Sequence, residues 1–234
     1  MNKTILSILC LCIFLIACTK EEDFFQAETC KIQHDNPVGR SYSSDSVIEV
    51  NYTKKNCGLL PLSKKNYWIY QDSLFNDGVF ATVRYDTLRF TSTWQSVSDK
   101  LIWWHSNISV GLPERFYAND SAFFEMDSRI FAPDIFDVQK DFSLFQGDSI
   151  RYLAHFEDIA AIGRSVKMQN FISTPAGGFY DYILFEKNSR SYRKDQIYFK
   201  PGLGVIRYSL ELAPAGSGVI KLQQVSTLIA FHIE

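Results

Sequence analysis

Histidine is scarce in this chain, four in 234 residues, and neither sign of charge is in excess: 24 Lys and Arg stand against 26 Asp and Glu, a formal charge of -2. His34, His105, His155 and His232 are scattered, and no His-Glu-x-x-His, Gly-x-Ser-x-Gly, phosphate-loop or dinucleotide fingerprint occurs. No catalytic residue, metal ligand set or cofactor is therefore expected. The bases are interspersed among the acids, which leaves no electrostatic footprint for nucleic acid, and none is expected as a partner. No apolar run reaches the length of a membrane helix. The one at Ile5 to Ala17 would span about 20 Å at 1.5 Å per residue, against roughly 30 Å of bilayer core. Apolar and aromatic side chains are plentiful instead, at 46% and 15%, which is ample for a core and excludes disorder for the bulk of the chain.

The N-terminus carries an export segment. Lys3 supplies a positive charge, Ile5 to Ala17 an uncharged stretch, and Leu15-Ile16-Ala17 small or apolar side chains just before Cys18. Residues 1–17 read as a secretory signal. Leu15-Ile16-Ala17-Cys18 resembles the lipobox of bacterial lipoproteins. That resemblance implies that Cys18 becomes the first mature residue and carries a thioether diacylglycerol and an N-acyl chain such as palmitate. The membrane is then met through the lipid anchor only. Each buried methylene contributes about 0.8 kcal/mol, so several chains together hold for practical purposes permanently. Thr19-Lys20-Glu21-Glu22-Asp23 resembles the export signal of bacteroidete lipoproteins, which implies an outer-membrane, surface-exposed address.

Cys10 and Cys12 leave with the signal and Cys18 is taken by lipid. Cys30 and Cys57 are the thiols left in an oxidising compartment, and one disulfide between them is expected. Closing a loop of about 27 residues, it would contribute roughly 3 to 4 kcal/mol in the chain-entropy model. A zinc reading from Cys30, His34 and Asp35 lacks a fourth ligand at a recognised spacing.

Residues 18–45 show no sustained apolar periodicity and read as a flexible, lipidated tether, able to reach roughly 80 to 90 Å when extended. From residue 46 to 234 the pattern is alternating, with turn signals a strand's length apart, which predicts a single all-β antiparallel domain. A sandwich and a curved half-barrel both fit. Asn76-Asp77-Gly78 predicts a tight hairpin. Val79 to Val97 is too long for one flat strand, and a bend or break is expected. Asp134 to Phe145 has partly helical spacing and is left between helix and strand, with a strand favoured after Lys140. Lys187 to Lys194 reads as a basic loop, and Val205 to Leu212 as a half-buried strand with Ile206, Tyr208, Leu210 and Leu212 on one face and Arg207, Ser209 and Glu211 on the other.

Several stretches form a second resemblance. Asn66-Tyr67-Trp68-Ile69-Tyr70 followed by Asp77-Gly78, then Phe142 to Asp148, Thr174-Pro175-Ala176-Gly177-Gly178-Phe179 and Lys200-Pro201-Gly202-Leu203-Gly204-Val205-Ile206 look like landmarks of uncharacterised β-rich envelope lipoproteins. The similarity spans roughly residues 57 to 208. It implies a fold and no activity.

Candidate contacts for a ligand are few. Trp103 and Trp104 are adjacent, so in a strand they face opposite ways. The outward one could stack on a sugar or peptide, although both in the core is the commoner arrangement. Arg190, Tyr192 and Arg193, with Lys187 and Lys194, could meet an anionic glycan or lipid headgroup, and a polar hairpin loop would look the same. Asp45-Ser46-Val47, Asp72-Ser73-Leu74, Asp86-Thr87-Leu88, Asp120-Ser121-Ala122 and Asp148-Ser149-Ile150 resemble the O-glycosylation acceptor of bacteroidete envelope proteins, which makes Ser46, Ser73, Thr87, Ser121 and Ser149 candidate sites. A turn aspartate before a strand has the same pattern. The expected function is a non-enzymatic module that binds a glycan, lipid or envelope protein, or serves the envelope structurally. The alternative is a glycan-directed hydrolase using acidic loop residues, Asp134, Asp137 and Asp141 or Glu157 and Asp158.

Overall fold

A computed structural model describes residues 30–129, 132–143, 151–154, 161–189, 192–214 and 217–234. Its strands are β1 (Cys30–Ile32), β2 (Ser41–Ser43), β3 (Val47–Val50), β4 (Lys55–Cys57), β5 (Tyr67–Asn76), β6 (Val79–Ser96), β7 (Ile102–Ser106) and β8 (Arg115–Ala118). They continue with β9 (Ala122–Arg129), β10 (Ala132–Ser143), β11 (Arg151–Ala154), β12 (Ala161–Thr174), β13 (Gly177–Ser189), β14 (Arg193–Lys200), β15 (Gly204–Leu212) and β16 (Lys221–His232). β1 and β4 form a short parallel pair, and the other fourteen strands make one sheet in the order β11-β12-β13-β14-β15-β16-β5-β6-β7-β8-β9-β10-β2, with β3 on β6. Among the described residues no pairing joins the two ends, so the sheet stays open.

β6 is where the sheet turns on itself. Val79 to Arg89 pair with β5, whereas Phe90 to Gln95 pair with β7 and Thr93 to Ser96 with β3. The bend or break expected within Val79 to Val97 takes the form of a register shift between Phe90 and Ser92, at the exchange of partners. An irregularity of this kind bends a strand and raises its twist. The two arms thereby face each other, and the rings of Phe123 on β9 and Phe199 on β14 lie 5.4 Å apart. Between them Trp68, Tyr70, Phe90, Trp104, Phe116, Phe185 and Ile197 form the main core. The sheet is a strongly curved layer folded over like a sandwich, so the two architectures expected from sequence meet in one object.

A second core lies on the other face of β7 to β9. Trp103, Tyr117, Phe124 and Met126 pack there beneath Tyr42 and Val47. The loop before β5 plugs one end of the fold: Leu59, Leu60 and Leu62 are buried. Its backbone is tied on both sides, since Leu59 N–H donates to Asn119 O at 3.1 Å and Gly202 N–H donates to Leu59 O at 3.1 Å.

Three expectations are corrected. Residues 30–45, expected in the tether, already belong to the fold: β1 pairs with β4, β2 with β10, and Tyr42 is buried. Three-residue strands carry too little alternation to be read, and their stability comes from distant partners. The partly helical spacing that begins at Asp134 resolves as strand as far as Ser143, in β10, because β9 supplies a ladder along it. The basic loop from Lys187 to Lys194 shrinks, because Lys187 to Ser189 pair with Arg193 to Asp195.

Candidate functional site

Where the apolar core ends on the inner face, a buried polar row begins. Tyr208, Ser226, Asp72 and Arg84 are register neighbours across β15, β16, β5 and β6. They continue the faces that carry Tyr70 and Leu88 into the core. Tyr208, Ser226 and Asp72 are buried. At one end Asp195 accepts from Arg193 Nε at 2.6 Å, Arg193 Nη2 at 2.8 Å and the Tyr208 hydroxyl at 2.6 Å. The Asp195 partnership raises the Arg193 guanidinium against the opposing effect of burial. Burial, and then the Asp195 charge, push the Tyr208 phenol up. At the other end Arg84 Nε lies 3.2 Å from Asp72 Oδ2 and 2.9 Å from Asp86 Oδ2. The Asp86 carboxyl is raised by burial first and by neighbouring Asp72 next, with Arg84 opposing. Asp195 thus has Arg193 to itself, whereas Asp72 and Asp86 share Arg84.

On the exposed surface Thr91 Oγ1 lies 3.1 Å from His105 Nδ1, and His105 Nε2 lies 2.9 Å from Glu114 Oε1. This hydroxyl, imidazole and carboxylate chain has the form of a general-base relay. It sits on an open strand surface, and the Glu114 side chain is 79% exposed. A cross-strand hydrogen-bond ladder accounts for it.

The β5–β6 hairpin projects from the core. Asp77 (φ 53) and Gly78 (φ 85) take the left-handed turn that a tight hairpin needs. All seven residues from Val79 to Tyr85 are exposed. They include Val79 at 71%, Phe80 at 58% and Tyr85 at 65%. The ring of Phe80 packs edge-on against Phe75, with centroids 6.0 Å apart.

The expected ligand contacts fare differently. Trp103 and Trp104 do face opposite ways, but into the two cores, at 0% and 1% exposure, so neither offers a stacking platform. Tyr42 packs edge-on against Trp103 and Tyr52 against Trp104. Arg193 is bound to Asp195 rather than free for an anion. Lys194 lies 3.7 Å from Glu186 and 3.9 Å from Glu211. Tyr192 is exposed, and Arg190 lies outside the described residues.

Cys18, Ser149, Glu157 and Asp158 also lie outside the described residues, as does the Asp141 side chain. Asp134 is exposed, and Asp137 accepts from the Ser41 hydroxyl at 2.6 Å. Of the serines and threonines, Ser46 donates to Ser43 O at 2.8 Å in a 3-10 turn. Ser121 lies in the turn held by Asn119. Ser73 and Thr87 sit inside the β5 and β6 ladders. Sequence reasoning missed the polar row because a buried and a solvated aspartate look alike in an alternating strand. It missed the projecting arm because nothing local reports how far the core extends.

No protein-family model and no curated protein matches this chain. Among solved structures it is similar to a Bacteroides fragilis protein described as exported, with a YMCC-like fold, at 13% identity and a TM-score of 0.36, covering 75% of this chain and 99% of that one. It is also similar to a Parabacteroides distasonis protein described as a lipoprotein, at 11% identity and a TM-score of 0.36, covering 75% of this chain and 99% of that one. Likenesses at that score carry nothing over to this chain.

Proposed function

We propose that this chain is a lipid-anchored envelope protein, held at the outer membrane through Cys18 and facing the cell surface, whose β domain is a non-enzymatic binding module. The observation that carries the binding reading is the exposed arm from Val79 to Tyr85. Large apolar side chains on a projecting strand lose little free energy when a partner covers them and gain about 25 cal/mol per Å² buried. The acids and bases of the inner face, by contrast, are occupied with one another.

The anchor brings this arm near the membrane. Because Cys30 is already paired within the fold, at most residues 18–30 separate lipid from fold, and their full extension is about 40 to 43 Å at 3.3 to 3.6 Å per residue. A Cys30–Cys57 disulfide would fasten that short leash. In its support, Cys57 is a half-cystine, and Cys30 opens the strand that pairs with the one Cys57 closes. Ser46 and Ser121, in turns, are the favoured glycosylation sites among the described candidates.

Two measurements test this reading. The intact mass of native mature protein should include acyl and diacylglyceryl groups on Cys18; a mature chain with an unmodified N-terminus would refute the anchor. Amides of residues 79–86 should exchange more slowly in native membranes than in purified protein diluted until it is monomeric; equal exchange would refute the binding role of the arm.

A further inference from the structure

We infer that the free edge of β6 pairs antiparallel with the same edge of a second copy of this chain, about a two-fold axis at Val83. This deepens the binding-module reading and rests on it.

The edge is open by construction of the sheet. Along Val79 to Arg89 one side of β6 is taken by β5. On the other side β7 begins pairing only at Phe90. Asn107 extends that closure slightly: Arg89 N–H donates to its Oδ1 at 2.7 Å, its N–H donates to Arg89 O at 3.1 Å, and its Nδ2 donates to Thr87 O at 2.8 Å. Before Thr87 no strand covers this side among the described residues. Backbone groups alternate in direction along a strand. Since Arg89 and Thr87 direct theirs towards Asn107, Tyr85 and Val83 direct theirs to the open side.

A strand laid there would accept a ready ladder, and a copy of this edge fits it. A two-fold at Arg84 would oppose two guanidiniums, which is unfavourable. One at Tyr85 would need the Thr87 carbonyl that Asn107 occupies. Val83 avoids both. It faces its own mate, Tyr85 lies across from the small Ala81, Arg84 across from Thr82 and Asp86 across from Phe80. No like charges meet.

Charge also argues for a copy over a foreign strand. The edge carries one base and one acid, Arg84 and Asp86, already 2.9 Å from each other, so it selects no charged partner. Residues 79–86 contain no lysine and no proline, two of the devices with which proteins keep identical edges apart, and the charges they do carry, Arg84 and Asp86, are paired with each other. Such an edge meets its own copies readily, and more so for molecules confined together by an anchor.

The experiment uses the mature lipidated protein in detergent. Under mild oxidation Val83→Cys should give a disulfide-linked dimer, since hydrogen-bonded antiparallel pairs have Cα atoms about 5.5 Å apart. Ser128→Cys, on an exposed stretch of β9, should not. In sedimentation the unmodified protein should dimerise, and Val83→Lys should weaken the dimer at least tenfold at an unchanged Tm. A monomer at all concentrations, or a dimer indifferent to Val83→Lys, overturns the proposal. If residues 79–86 are still protected in native membranes, the binding module survives and only the identity of its partner falls.

Discussion

The Tyr42 hydroxyl donates to Asp99 Oδ2 over 2.6 Å. Through it a strand close to the N-terminus is bound to the turn between β6 and β7. Arg40 Nη1 and the Ser96 hydroxyl donate to the same carboxylate, and Leu101 N–H does so at 3.2 Å. Asp99 is thus the clasp by which the segment around β2 is held on the fold.

Burial pushes the Asp99 carboxyl up, but donation from Ser96, Tyr42, Arg40 and Leu101 outweighs it, and the net shift is downward. A carboxyl depressed in the folded state contributes stability that is fully present above its unfolded value, about 3.9, and is lost as pH falls through the folded value. Thermal scans should therefore show a loss of Tm below about pH 4. Asp99→Asn should lower Tm at neutral pH, at a cost of about 1.5 to 3 kcal/mol, and should reduce the acid dependence. An unchanged acid profile in that variant would place the transition elsewhere.

Gly204 and Gly202 separate steric from conformational need. A Cβ on Gly204 (φ +120) would lie 2.8 Å from Leu60 Cδ1, whereas one on Gly202 (φ +77) would meet nothing within 4 Å. Gly202→Ala should cost about 1 to 2 kcal/mol for left-handed backbone alone. Gly204→Ala should cost more, by about 1 to 3 kcal/mol of overpacking against the plug. Denaturant midpoints of the two variants, compared at equal m-value, decide the order.

Trp68, Trp103 and Trp104 are fully buried, and Trp94 is half-buried. Iodide should quench little of the native emission, with Trp94 supplying what is accessible. Trp103→Ala and Trp104→Ala should each cost about 3 to 5 kcal/mol, although they empty different cores. A variant of either that keeps its stability while losing glycan binding would restore the stacking role.

Arg193→Gln should cost about 3 to 5 kcal/mol because it leaves the Asp195 carboxylate buried and uncompensated. Arg193→Gln combined with Asp195→Asn should recover part of that loss, since the uncompensated charge is then gone. Urea unfolding of the singles and the double measures the coupling, and strict additivity would mean the two groups act independently.

Much of the fold was legible locally. Asp77-Gly78 announces its hairpin, because few residues accept positive φ at both positions. The alternation around Ile206 and Tyr208 announces a strand with one buried face, and both residues are buried. The candidate site was hardly legible. Asp72 and Asp86 were read for the serine and threonine that follow them, yet their carboxyls meet Arg84 on the inner face, a contact that depends on β5 and β6 being in one particular register.

By itself the sequence determined the strand content and the tight turns, because backbone preference and apolar alternation act over a few neighbouring residues. The tertiary structure alone decided that Tyr42 belongs to the domain, that Trp103 and Trp104 serve separate cores, that Arg193 answers Asp195, and that Val83 stands on an unpaired edge. Those outcomes depend on which distant strands meet, and pairing is set by burial and register across the whole sheet rather than by any short stretch of chain.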